Sequence, residues 1–217
     1  MKRFDIITEA DARALERGTS VLLARGGHIT PLARDTLNER RITVIEDGRA
    51  SADELSLVPT DKISAVVIGS DEAGAVLRRA LVPFLRARGL AVDDLGADGS
   101  DAYPDVAAKV ARRVTNHEAD AGIAIDATGI GSAIAANKIP GVRAAMAASE
   151  IMARHAREQG GANVLTLGAS LITVDEAKAI TLTWLTTSMR DVRQMRHLAK
   201  IRDLEQDGRD GRGPHGD

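Results

Sequence analysis

From residue 64 onward, short apolar runs alternate with longer amphipathic segments, and this rhythm restricts the possible folds more than any other feature of the chain. Residues 65–68, 91–95, 121–125, 142–146 and 164–167 read as strands. Between and after them, residues 73–88, 104–117, a small-residue segment from Ile130, and residues 150–159, 174–187 and 192–204 read as helices. Strands alternating with helices at this spacing predict right-handed crossovers and a five-stranded parallel sheet covered on both faces. Ligands of such α/β sheets sit at the carboxyl ends of the strands.

A polar stretch from 46 to 62, containing Asp47, Gly48, Ser51 and Pro59, separates this unit from the start of the chain. We place the boundary near residue 60. In the first 60 residues Thr8 and Thr30 are the expected N-caps of two helices, the second with Pro31 at its first position, and residues 42–45 form a strand. A small α+β extension of this size has too little chain for an ample core. It is expected to dock on its own sheet domain, a partner subunit or another protein. The tail 206–217 carries four Gly and several charges and is expected to be disordered. The organisation is thus 1–60, 61–205 and 206–217.

Composition removes several classes of function. Among 217 residues there are 29 Lys plus Arg against 31 Asp plus Glu, a net charge of -2, so no global basic field points to nucleic acid. Aromatic residues make up only 2%, which disfavours base-stacking platforms. With no Cys, disulfides, thiolate nucleophiles and Cys-ligated zinc are unavailable. The N-terminus lacks an apolar signal core, and no run approaches the roughly 18 apolar residues of a membrane span. We read a soluble, cytoplasmic chain with no expected metal or cofactor.

Residues 125–138, Ile-Asp-Ala-Thr-Gly-Ile-Gly-Ser-Ala-Ile-Ala-Ala-Asn-Lys, carry the strongest chemical signal. An apolar strand runs into a turn with Gly129 and Gly131, and a small-residue helix follows. That layout aims backbone N–H groups at the spot where Asp126 and Thr128 leave the strand. An anion, or an oxyanion formed during a reaction, is stabilised there. A tight strand-to-helix turn of purely structural use has the same glycines.

The chain from about 64 to 205 resembles the ribose-5-phosphate isomerase B and galactose-6-phosphate isomerase family. The residues that carry the likeness are Gly69-Ser70-Asp71-Glu72-Ala73-Gly74, Tyr103-Pro104-Asp105, Thr128-Gly129-Ile130-Gly131, Ile134-Ala135-Ala136-Asn137-Lys138, Gly141-Val142-Arg143-Ala144 and Ala162-Asn163-Val164-Leu165, in the right order and spacing. The resemblance implies a Rossmann-like three-layer αβα sandwich and a homodimer or tetramer with sites at the subunit interface. It also implies metal-free aldose–ketose isomerisation of a small phosphorylated sugar through an enediolate.

Departures from the family pattern fall where the chemistry is done. Glu72 stands where the family usually has His, and Asp126 where it has its catalytic Cys. The His-Asn pair used for ring opening aligns with Gln159 and Gly160; of two phosphate-holding arginines, one matches Arg193 and the other His197. Asp126 is therefore the expected base, with an N-cap as its structural alternative. Thr128 is expected to donate or relay a proton, and Glu72 to act as an acid or base unless it is merely an exposed first-turn residue. Asp71, Tyr103, Gly129, Ile130, Gly131, Ser132, Asn137, Gln159, Arg193 and His197 are the expected substrate-binding residues. Lys138 and Arg143 stand near an anion or are simply solvated or paired charges.

Loss of the ring-opening His points to a substrate handled in open-chain form. A tetrose phosphorylated on O4 has no furanose to open. Pentose and tetrose phosphates both fit the general reading; a non-catalytic sugar-phosphate-binding or scaffold protein on the same sheet is the alternative. Finally, residues 7–11, 29–35 and 42–44 resemble a segment of ethanolamine-utilisation proteins, including the cobalamin adenosyltransferase. By association this implies work in or beside a bacterial microcompartment, with shell or cargo proteins as partners.

Overall fold

The computed structural model describes residues 2–46, 48, 50–96 and 102–209. Its contacts divide the chain into two compact units, 1–52 and 53–217.

The first unit alternates strand and helix: β1 (Arg3–Ile7), α1 (Glu9–Ala14), β2 (Ser20–Ile29), α2 (Pro31–Glu39) and β3 (Thr43–Glu46). The three strands are parallel in the order β1-β2-β3. Thr8 caps α1 through a reciprocal box with Asp11, and Thr30 caps α2 ahead of Pro31, as their positions in the sequence predict. Ile7, Ala12, Val21, Leu23, Ala33 and Leu37 form a small core of their own. β1 and β2 are additions to the sequence reading. β2 is hard to recognise because Gly26 and Gly27 interrupt its apolar pattern, at a place where the β1–β2 register also shifts.

The second unit opens inside a short helix, α3 (Ala52–Ser56), within the stretch expected to be irregular. It continues through β4 (Ala65–Ser70), α4 (Ala75–Arg86), β5 (Ala91–Asp94), α5 (Tyr103–Thr115), β6 (Ala121–Asp126), α6 (Ile130–Ala136), β7 (Ala144–Met146), α7 (Glu150–Glu158), β8 (Val164–Gly168), α8 (Val174–Thr186) and α9 (Val192–Arg209). The five strands are all parallel, in the order β5-β4-β6-β8-β7. β4, β6 and β8 are buried on both faces, which explains their nearly unbroken apolar runs. Val66, Ile68, Ile123, Ile125, Leu165 and Leu167 face a core shared with α4, α7 and α8; Val67, Ala124 and Val164 face α5 and α6. This is the three-layer Rossmann-like sandwich expected from the sequence. No helix among the described residues is long and apolar enough to cross a membrane.

The boundary lies nearer residue 52 than 60, and the reason is physical. Arg143 Nη2 donates to the carbonyl of Leu57 (2.8 Å) and Arg157 Nη2 to that of Thr60 (2.7 Å), so residues 57–60 are fastened to the second unit. Arg157 is 2% exposed and lies against Trp184; burial lowers its pKa to about 10. At the other end, α9 continues to Arg209, past the expected start of the tail at 206; residues 210–217 lie outside the described residues.

Candidate active site

Strand order reverses between β4 and β6: from β4 the chain steps outward to β5, then crosses back over β4 to β6. Loops leaving two such strands at their carboxyl ends diverge and open a crevice. Here the loops are 71–74 after β4 and 127–129 after β6. The first starts against β6 itself, since the N–H of Asp71 donates to the carbonyl of Ile125 at 3.2 Å. The sequence-predicted residues Asp71, Glu72, Asp126, Thr128, Gly129, Ile130, Gly131 and Ser132 therefore gather in one place.

The turn after β6 is organised by Asp126, whose side chain folds back into it. Oδ1 accepts the N–H groups of Thr128 (2.6 Å) and Gly129 (2.5 Å), with the Thr128 hydroxyl at 3.3 Å. Oδ2 accepts the N–H of Ser132 (2.8 Å) and its hydroxyl (2.5 Å). Asp126 is 4% exposed. Burial alone would push its carboxyl up; the donors of Ser132, Gly129 and Thr128 outweigh that and hold it below the usual value. A carboxylate with its lone pairs taken, out of reach of solvent, is a poor acceptor for a proton from carbon. Asp126 thus serves as an anchor, close to the N-cap alternative, and the role of base expected for it does not suit its geometry.

Gly129 begins α6 in the left-handed region (φ 75°), and its carbonyl accepts the Thr166 hydroxyl at 2.7 Å. A Cβ there would lie 2.9 Å from the carbonyl carbon of Leu167, so a side chain is excluded by both conformation and space. At Gly131 the neighbour is Tyr103: a Cβ would stand 2.5 Å from its Cε2. Tyr103, 42% exposed at the start of α5, therefore lies against the glycine turn.

On the opposite lip, Asp71 Oδ1 accepts the N–H of Gly74 at 3.0 Å and shapes the entry to α4. Glu72 is exposed, and its carboxylate has no partner among the described residues. Beneath this lip is a residue that the sequence reading missed. Arg78, 7% exposed, donates Nε–H to the Ser70 hydroxyl (3.2 Å) and pairs with Asp94 at the end of β5. The available signal was its place on the buried stripe Ala75, Arg78, Leu81, Val82 and Leu85, where an Arg requires a buried partner.

Four expected binding residues are not brought to this crevice within one chain. Asn137 ends α6, where its amide donates to the carbonyl of Ala144 (2.9 Å) and accepts its N–H (2.8 Å); it pins the start of β7. Gln159 caps α7 at the amino end of β8, its amide 2.8 Å from His155 Nδ1, while the strand's carboxyl end is the one beside Asp126. Arg193 pairs with Asp191, and His197 Nδ1 lies 3.1 Å from Gln194 Oε1, on a helix packed by Leu198 against Gly161. That also is the amino-terminal end of the sheet. Lys138 is exposed, whereas Arg143 is committed to the carbonyls of Gly161 and Leu57. Among the described residues no group of His, Asp or Glu converges in a way that would hold a metal ion.

With this geometry in view, the sequence profile of the Ribose/Galactose Isomerase family matches residues 66–201. A ribose-5-phosphate isomerase B from Clostridium thermocellum superposes with a TM-score of 0.64 at 42% identity, over 66% of this chain and 98% of its own. The enzyme of that name from Mycoplasma genitalium, solved with bound ribulose-5-phosphate, gives 0.63 at 37% identity over 66% and 97%. A D-erythrulose-4-phosphate isomerase from Pectobacterium atrosepticum is 36% identical over 124 residues, 56% of this chain and 82% of its own.

Proposed function

Since the chain belongs to the Ribose/Galactose Isomerase family, we propose that it is a sugar-phosphate aldose–ketose isomerase that takes its substrate in open-chain form and uses Glu72 as the proton-transferring base. The observation that carries this reading is the contrast between the crevice carboxylates. Asp126 is saturated by the turn it organises and Asp71 is bound to Gly74, which leaves Glu72 exposed and without a partner among the described residues.

In this scheme the Glu72 carboxylate removes the proton from C2 of the aldose, and the electron pair forms the C1–C2 double bond of an enediolate, moving charge onto O1. Thr128, exposed at the tip of the turn, donates its hydroxyl to that oxygen, assisted by the N–H of Gly131, which neither Asp126 nor the Thr128 hydroxyl engages. The proton then returns from Glu72 to C1 while the O2 proton passes to O1, leaving a carbonyl at C2 and a hydroxyl at C1, which is the ketose. Asp126 keeps the donors aligned and takes no proton.

Two observations favour a four-carbon substrate. Gln159 is an amide engaged with His155, and at Gly160 a Cβ would stand 2.9 Å from the Ala156 carbonyl, so neither position aligned with the ring-opening pair presents an acid or base. A tetrose 4-phosphate cannot close a furanose because its O4 is esterified. A D-erythrulose-4-phosphate isomerase among the relatives agrees with this chemistry. Ile130 and Ile134 on α6, and Ile151 and Met152 on α7, are exposed apolar side chains that suit pairing with a second copy. Such a copy supplies the α9 residues Arg193 and His197 to the phosphate end of the substrate.

The test is turnover of C4, C5 and C6 aldose and ketose phosphates, with solvent deuterium incorporation as the signature of enediolate proton transfer. The expected order has the C4 substrate ahead in kcat/KM by about tenfold or more. Ribose 5-phosphate as the better substrate would overturn the C4 assignment; exchange into no sugar phosphate at all would overturn the isomerase itself. A reporter fused to residues 1–52 that co-purifies with microcompartment shell proteins would support the association suggested by the extension.

A further inference from the structure

α9 is held to the second unit in an unusual way. It shares no broad face with any strand or other helix. Met195 and Leu198 are its buried apolar anchors, with Leu198 seated where Gly161 has no side chain, while Ile201 and Leu204 further along the same stripe are exposed. The polar ties run mainly to a single segment, residues 53–61. Both carboxylate oxygens of Asp53 accept from Nη1 of Arg202 (2.7 and 2.8 Å). Glu54 Oε1 is 3.6 Å from Arg196 Nε, in a pair whose side chains are only 15% and 21% exposed, and Asp61 pairs with Arg190 at 2.9 Å just before the helix. Glu205 adds one bond to the N–H of Gly141.

The other side of this segment is nailed down by the buried guanidiniums. Arg143 spans the carbonyls of Gly161 and Leu57; Arg157 spans those of Ala162 and Thr60. Residues 53–61 therefore lie between the body of the sheet domain and α9, bound to both. They also lie outside the family-matched residues 66–201.

We propose that residues 53–61 are a strap that holds α9 in place, and that Asp53 and Glu54 are positioning residues for the binding of the sugar phosphate. A helix with few apolar anchors depends on its edge contacts for its register, and local opening is governed by those contacts. The inference rests on the isomerase reading only through the role given to Arg193 and His197 on α9. Movement of α9 changes the grip on the phosphate and leaves the proton transfer at Glu72 alone. The strap is thus a determinant of KM.

The test uses the full chain carrying Asp53→Asn with Glu54→Gln, isosteric changes that remove charge and keep volume. Hydrogen exchange in residues 192–205 is expected to quicken about tenfold or more while β4, β6 and β8 keep their protection. KM for the sugar phosphate rises about fivefold or more with kcat within about twofold, and the exchange of charges Glu54→Arg with Arg196→Glu restores both. Unchanged protection of α9 in the double variant overturns the strap; loosened exchange with an unchanged KM overturns the positioning role. Exchange is read whether or not the wild type turns over, so failure of the isomerase reading is told apart from failure of the strap.

Discussion

Ser132 donates both its hydroxyl (2.5 Å) and its backbone N–H (2.8 Å) to the same oxygen of Asp126. The carboxylate thereby occupies part of the donor cluster that a glycine turn ahead of a helix ordinarily offers to a ligand. A fixed negative charge inside the turn organises the donors that remain and repels a second anion brought close behind them. This agrees with the proposal that the substrate phosphate is held away from this turn, by the α9 residues.

Asp126→Asn places an amide N–H₂ among donors. One or more buried N–H groups lose their acceptor, and stability falls by about 1–3 kcal/mol. Because the turn distorts, kcat is expected to fall about ten- to a hundredfold, short of abolition. Urea titration and steady-state kinetics on the same preparation check both numbers.

Glu72→Gln is expected to remove proton transfer almost wholly, by about a thousandfold or more in kcat, with unfolding free energy within about 0.5 kcal/mol of wild type because the residue is exposed and unpaired. Deuterium exchange into bound substrate should cease. Full exchange in this variant would take Glu72 out of the mechanism.

Acid stability follows from the lowered pKa of Asp126. The unfolded chain, with an ordinary Asp near 3.9, takes up the proton before the folded one does. The stabilisation is therefore complete above about pH 4 and is lost as pH falls through the lower folded value. Asp120, whose carboxyl is held down by Ser64 and Ala65 against the effect of burial, adds to the same limb. Tm measured from pH 6 to 2.5 should drop steeply in the wild type and less steeply in Asp126→Asn.

Gly131→Ala tests the contact with Tyr103. The new methyl forces the ring away, since its Cβ would meet Cε2 at 2.5 Å. A partly exposed ring can move, so the cost in stability is expected to be only about 1 kcal/mol, with a rise in KM of about tenfold. Gly129→Ala, by contrast, meets backbone at φ 75° and should cost about 2 kcal/mol or more. Comparing the two by thermal melts separates ligand contact from turn geometry.

Most of the sheet domain was legible because β4, β6 and β8 are buried on both faces and so carry uninterrupted apolar runs. β1 and β2 were not, since a small, singly layered sheet leaves polar residues such as Arg3 and Asp5 along its strands. In the site, Gly129 and Gly131 announced the turn, and the strand end located it. The side-chain direction of Asp126 was undetermined in sequence: the same residue type at the same place either faces a ligand or folds back onto Thr128, Gly129 and Ser132. That Gln159 falls at the amino end of β8 follows from its place between α7 and β8, but element order contains no record of which surfaces a second copy would bring to Arg193 and His197. Arg78 announced itself only as a charge on an apolar stripe.

The strand ladders themselves respect the division of the chain at residue 52: β1 to β3 pair only with one another, and β4 to β8 do likewise. Among the described residues no strand ladder joins residues before 52 to residues after it. A chain beginning at residue 53 consequently keeps every rung of the β4 to β8 sheet, together with the strap at 53–61 that ties down α9.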